Sequence, residues 1–84
     1  MPVISRFNGI VIRMYFRSSE HNPPHLHAIY GEDIAAIDLR TYELIEGELP
    51  PKIMSLVLQW MSVNRDELLE IWSTQNFKKL PPLE

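Results

Sequence analysis

The first half of the chain alternates apolar and polar residues, which is the pattern of strands that bury one face of a sheet. Over residues 10–17 the apolar positions that we expect to face the core are Ile10, Ile12, Met14 and Phe16. The positions between them offer two arginines and a tyrosine to solvent: Arg13, Tyr15 and Arg17. Asn8-Gly9, immediately before this strand, is a strong hairpin signal.

Three further strands are predicted downstream, at residues 25–30, 33–39 and 43–46. Gly31-Glu32 is predicted to join the first two as a two-residue turn with glycine first. In that register Tyr30 pairs with Asp33, so His25 lies opposite Asp38 and His27 lies opposite Ala36. Leu26 and Ala28 then belong to the core face of the sheet, and the histidines belong to the other face.

From Pro50 onward the period of the apolar residues becomes helical. Pro50 or Pro51 suits the first turn of a helix. Asn64 followed by Glu67 resembles a capping box and predicts a second helix, with one long kinked helix as the alternative. The helical spacing of Trp60 and Trp72 favours core packing over a pair that stacks on a ligand.

These elements predict a single α+β domain over residues 1–77, followed by a frayed tail over residues 78–84. Four or five short antiparallel strands come first, and two amphipathic helices then cover one face of the sheet. The opposite face is left partly open.

Composition narrows the classes of function. The 84 residues carry a net charge of −3 and no cysteine, so neither disulfides nor thiolate metal ligands are present. No apolar run approaches the ~20 residues of a membrane span, and the first residues lack the apolar core of a signal peptide, so we expect a cytoplasmic protein without a membrane partner. The net charge does not draw the chain to nucleic acid, but three arginines precede the first acidic residue.

The residue types that carry chemistry are concentrated in the segment His21-Asn22-Pro23-Pro24-His25-Leu26-His27. Three interpretations stay open. The imidazoles of His21, His25 and His27 can hold a divalent ion such as zinc, manganese or iron. Without metal, His25 and His27 can move protons, with Asp38 accepting a hydrogen bond from His25.

In that second interpretation Arg13 holds a phosphate and Tyr15 stacks on a base or donates a proton, as on the open sheet of a small ribonuclease. In the third, the histidines and prolines only shape a loop or contact a partner protein. The acidic charge suits a basic partner. An edge strand also permits a homodimer without requiring one.

Four segments in this order resemble the small bacterial proteins of domain of unknown function 4160: Ile12-Arg13-Met14-Tyr15-Phe16, His21–His27, Glu46-Gly47-Glu48-Leu49-Pro50 and Arg65-Asp66-Glu67-Leu68-Leu69. The resemblance spans nearly the whole chain, residues 2–72, and the histidine segment is its most specific part. One departure is Thr41-Tyr42, which stands where that family usually has a glycine-containing turn.

The resemblance implies a place in a two-gene module. Members of that family are typically encoded beside a protein of domain of unknown function 2442, and such pairs are often described as toxin–antitoxin modules. The leading hypothesis is therefore a toxin-like component that acts on RNA through its histidines. A metal-binding protein and a non-enzymatic regulatory half of the module are the alternatives.

Overall fold

The computed structural model describes residues 3–14 and 23–83. Five antiparallel strands lie in the sheet in chain order and two helices follow, which confirms the predicted α+β fold. The elements are β1 (Val3–Phe7), β2 (Ile10–Arg13), β3 (His25–Tyr30), β4 (Asp33–Asp38), β5 (Leu44–Gly47), α1 (Pro51–Val63) and α2 (Arg65–Thr74). Within the described residues, neither helix is long and apolar enough to cross a lipid bilayer.

Two tight turns set the register of the first four strands. Asn8 and Gly9 both have positive φ, 48° and 78°, as a type I′ hairpin turn requires. Gly31, with φ 61°, opens the turn between β3 and β4. Tyr30 pairs with Asp33 across that turn and His25 pairs with Asp38 at the far end, so the predicted register is confirmed.

The core lies between one face of the sheet and the two helices. Ile12, Ala28 and Ala35 are cross-strand neighbours on three successive strands and are fully buried. The ring of Phe7 stacks on that of Trp60, 5.7 Å between centroids, which confirms the core position of this tryptophan. Burying a large aliphatic or aromatic side chain contributes about 1.5–3 kcal/mol, so this face dominates the stability of the fold.

The junction of the helices differs from the predicted capping box. Asn64 separates α1 from α2, but its side chain makes no cap to α2. The amide Nδ2 instead donates to the carbonyl oxygen of Trp60, 3.0 Å away, and satisfies the end of α1. Burial explains the difference, because a buried amide must find a partner and the last carbonyls of α1 are the ones within reach.

Residues 78–83, which the sequence predicts to be a frayed tail, form no helix or strand but are attached to the core. The backbone amide of Leu80 donates to the carbonyl oxygen of Ile4 in β1, 2.7 Å away, and the Leu80 side chain is buried in the core. Trp60 adds a hydrogen bond from its Nε1 to the carbonyl oxygen of Pro81, at 2.8 Å. The tail therefore covers the outer edge of β1.

The hairpin between β4 and β5 is irregular. Tyr42, one of the two residues that depart from the family pattern, has φ 65°, a conformation that favours glycine. In β5 the pairing jumps from Leu44 opposite Ile37 to Glu46 opposite Ala36, so Ile45 is an extra residue in a bulge. This bulge decides which side chains of β5 reach the open face.

We expect Gly47→Ala to lower the free energy of unfolding by more than about 2 kcal/mol, because a Cβ there would collide with the carbonyl oxygen of Ile34 and φ is 76°. Gly31→Ala is the matched control. Its φ is also positive, at 61°, but a Cβ there meets nothing within 4 Å. That change should cost only about 1–2 kcal/mol. Urea unfolding followed by circular dichroism measures both, and equal losses would contradict the predicted collision.

Candidate active site on the open face of the sheet

A row of four cross-strand neighbours crosses the sheet face opposite the helices. Arg13 of β2 pairs with His27 of β3, which pairs with Ala36 of β4, which pairs with Glu46 of β5. Opposed side chains in antiparallel strands have Cβ atoms about 4.5–5.5 Å apart. The row thus places a guanidinium beside an imidazole, and a carboxylate two strands away from that imidazole.

Ala36 creates the space at the centre of this row. Its methyl group leaves the gap between β3 and β5 unfilled, and two adjoining hollows share His27, Ala36 and Glu46 in their linings. The smaller, of about 110 Å³, also reaches Pro23, His25 and Ile45. The larger, of about 390 Å³, adds Ile34 and Gly47. Ligand sites begin at about 300 Å³, so the space suits a small polar group such as a phosphate with part of a sugar.

His25 lies between two other rings. Its centroid is 5.2 Å from that of His27 in an edge-on arrangement, and 5.2 Å from that of Trp72 on α2. Its Nδ1 is 2.8 Å from the carbonyl oxygen of Pro23. A carbonyl oxygen can only accept, so Nδ1 carries the proton and Nε2 is left as the nitrogen for chemistry.

Asp38 does not orient His25 as the sequence predicts. The two residues are cross-strand partners, but Asp38 Oδ1 accepts the backbone amides of Arg40 at 2.7 Å and Thr41 at 3.2 Å. An aspartate at the end of a strand finds the amides of the following turn closer than a neighbouring strand. Asp38 therefore shapes the turn after β4, and the carbonyl of Pro23 orients His25.

The environment of His27 favours its neutral form. Burial is the largest cause that lowers the pKa of His27 below its ordinary 6.5, and the neighbouring His25 lowers it further, while Glu46 raises it. Protonation of His27 then opposes folding. Its contribution to stability is complete above pH 6.5 and declines as the pH falls toward the lowered pKa. At neutral pH His27 is a proton acceptor.

Arg13 is half-buried beside His27. Its Nε atom is buried and has no hydrogen-bond partner among the residues that the structure describes. The remaining N–H groups of this half-buried side chain can bind an anion, and phosphate matches the planar guanidinium well.

Two predicted site residues, Tyr15 and His21, lie outside the described residues. The three-histidine metal site therefore has two described members, His25 and His27. Among residues 3–14 and 23–83, no group of three or more His, Cys, Asp or Glu side chains could hold a metal ion.

Three contributors to the site were missed in the sequence. Placing Glu46 in the site requires the register of β5, and the bulge at Ile45 makes that register impossible to predict from the alternation of residues alone. Pro23 acts through its carbonyl, which no side-chain pattern signals. Trp72 was assigned to the core by its helical spacing, and it is half-buried there while also contacting His25.

An antiparallel five-stranded sheet, with helices on one face and Arg13, His27 and Glu46 on the other, defines a small α+β protein with a candidate site on its open face. The chain matches Domain of unknown function (DUF4160) over residues 9–73, most of its length, and it belongs to that family. This confirms the resemblance, and the match includes Arg13, His25, His27 and Glu46. No curated protein and no solved structure matches the chain.

We expect the pKa of His27 to rise above its wild-type value in His25→Gln, because a like charge is removed, and to fall in Glu46→Gln, because an opposite charge is removed. Proton–carbon NMR titration of the ring measures both variants. Glu70→Gln, an exposed carboxylate on α2, is the control and should leave the titration unchanged. Shifts in the same direction for both site variants would contradict the proposed arrangement.

Proposed function

We propose that the protein is the toxin-like component of a bacterial toxin–antitoxin module in the cytoplasm and that it cleaves RNA on the open face of its sheet. The observation that carries this proposal is the row of Arg13, His27 and Glu46 across the hollow over Ala36. Family membership supports it, because the resemblance implies a two-gene module with a partner of domain of unknown function 2442.

The proposed reaction uses the ribose 2′-hydroxyl as the nucleophile. His27, neutral because burial lowers its pKa, takes the proton of that hydroxyl. The 2′-oxygen then attacks the adjacent phosphorus, and the bond from phosphorus to the 5′-oxygen breaks. His25, in its protonated form, gives the Nε2 proton to that leaving oxygen, so the products are a 2′,3′-cyclic phosphate and a free 5′-hydroxyl.

Two further side chains support this step electrostatically. The guanidinium of Arg13 binds the phosphate oxygens, on which negative charge increases during attack. The carboxylate of Glu46 favours the protonated form of His27 and so stabilises the imidazolium that the first proton transfer creates. Trp72 and the Pro23 carbonyl hold the His25 ring in place.

We expect His27→Ala and His25→Ala each to slow cleavage of a labelled RNA oligonucleotide by about 10²–10⁴-fold, the usual contribution of a general acid or base. An oligonucleotide with 2′-deoxyribose at the cleavage position should not be cut. Arg65→Ala, an exposed arginine on α2, is the control for loss of positive charge and should cleave like the wild type. Circular dichroism checks that each variant is folded.

The same variants test the role in cells. Expression without the neighbouring gene should slow growth and degrade RNA, and co-expression of that gene should relieve both effects. Unchanged growth and intact RNA, with His27→Ala indistinguishable from wild type, would refute the proposal. Cleavage that is abolished by a chelator and restored by zinc would instead favour the metal-binding alternative.

A further inference from the structure

The two edges of the sheet are treated differently by the fold. The outer edge of β1 is covered, because the Leu80 amide donates to the Ile4 carbonyl and the Leu80 side chain is buried. β5 pairs with β4 on one side, and no other strand lies along its outer side in the described part of the chain. Unpaired amides and carbonyls on such an edge are a template for a further strand.

Aliphatic side chains accompany this open edge. Three of them form what we name the edge patch, with exposed fractions of 52% for Ile34, 46% for Leu44 and 46% for Ile45. All four residues of β5 are exposed. By register Leu44 and Ile34 project to opposite faces of the sheet, so the edge patch flanks the open edge on both faces. Exposed apolar side chains along an open strand edge are typical of surfaces that bind another chain.

Charge determines which chain fits. Glu43, Glu46 and Glu48 lie in or beside β5, and no lysine or arginine lies between Arg40 and Lys52. A second copy pairing antiparallel and centred on β5 would place Glu43 opposite Glu48 at both ends of the strand pair, and opposed like charges destabilise strand pairs. A strand that carries lysine or arginine at alternate positions would instead pair its charges with the glutamates.

We propose that β5 is the docking edge for an extended segment of a basic partner protein, which adds a sixth strand to the sheet. Its apolar side chains cover the edge patch and its cationic side chains meet Glu43 and Glu48. The short length of β5 and the bulge at Ile45 disfavour pairing with an arbitrary strand. The glutamate charges then select a strand with cationic side chains. Binding here does not depend on RNA cleavage.

An eight-residue synthetic peptide of alternating lysine and valine is the probe. In nitrogen–proton NMR spectra of the full chain it should shift the backbone amides of residues 44–47 and slow their exchange with solvent. A glutamate–valine peptide of the same length should produce neither effect. A lysine–valine peptide with alternate amides methylated should bind at least about tenfold more weakly when the methyl groups face β5, because it cannot form the ladder hydrogen bonds.

Charge-reversal variants of the protein distinguish binding at the β5 edge from a general effect of the protein's net charge. Glu43→Lys with Glu48→Lys should weaken the lysine–valine peptide at least about tenfold, since both charge pairs are lost. Asp66→Lys with Glu70→Lys makes the same change in net charge on α2 and should change the affinity less than about twofold.

Three results with the peptides would overturn the proposal: equal binding of the two charge types of peptide, equal loss in the two double variants, or peptide-induced shifts away from β5. Sedimentation of the protein alone tests the second copy as occupant. A stable dimer with protected β5 amides would also overturn the proposal. None of these readouts uses RNA, so they stay separate from the test of cleavage.

Discussion

The register of the β3–β4 hairpin is the constraint on which the rest of the structure depends. Side chains alternate between the two faces of a strand, so a slip of one residue would move Leu26 and Ala28 into water and both histidines into the core. The two-residue turn at Gly31-Glu32 leaves no room for such a slip. The apolar core and the polar site are therefore fixed by the same pairing, and neither can be altered without the other.

The site also depends on a residue with little chemistry of its own. Strands separated by one neighbour lie about 9–10 Å apart, too far for direct contact between short side chains. A large side chain on β4 would fill the space that separates His27 from Glu46, whereas the methyl group of Ala36 leaves it open. The electrostatic coupling of these two residues passes over that hollow. In this fold a small residue on β4, between the strands of His27 and Glu46, is as important to the site as those polar residues.

The sequence predicts what alternation and tight turns control, namely the two-residue hairpins, the β3–β4 register and the placement of Arg13, His25 and His27. Prediction from the sequence fails where a polar side chain can form hydrogen bonds with any of several nearby groups. Asp38 and Asn64 each have polar side chains that satisfy nearby backbone atoms rather than the predicted groups. The position of Glu46 opposite Ala36 is not predicted, because the bulge at Ile45 shifts the residue-by-residue pairing between β4 and β5. The tail contains prolines and charged residues, which are typical of unstructured termini. The burial of Leu80 nevertheless attaches it to the core.

That tail joins two segments that are far apart in sequence, because Leu80 is hydrogen-bonded to Ile4 in β1. Ile4 and Leu80 both lie outside the residues that match the family, and so does Pro81. Contacts between residues so distant in sequence carry a larger entropic cost of loop closure than the contacts within a hairpin do. Residues 9–73 thus supply the site, while the contacts of Leu80 with Ile4 and of Pro81 with Trp60 hold the flanking residues against the fold. Loss of these contacts would leave the sheet with two bare edges instead of one.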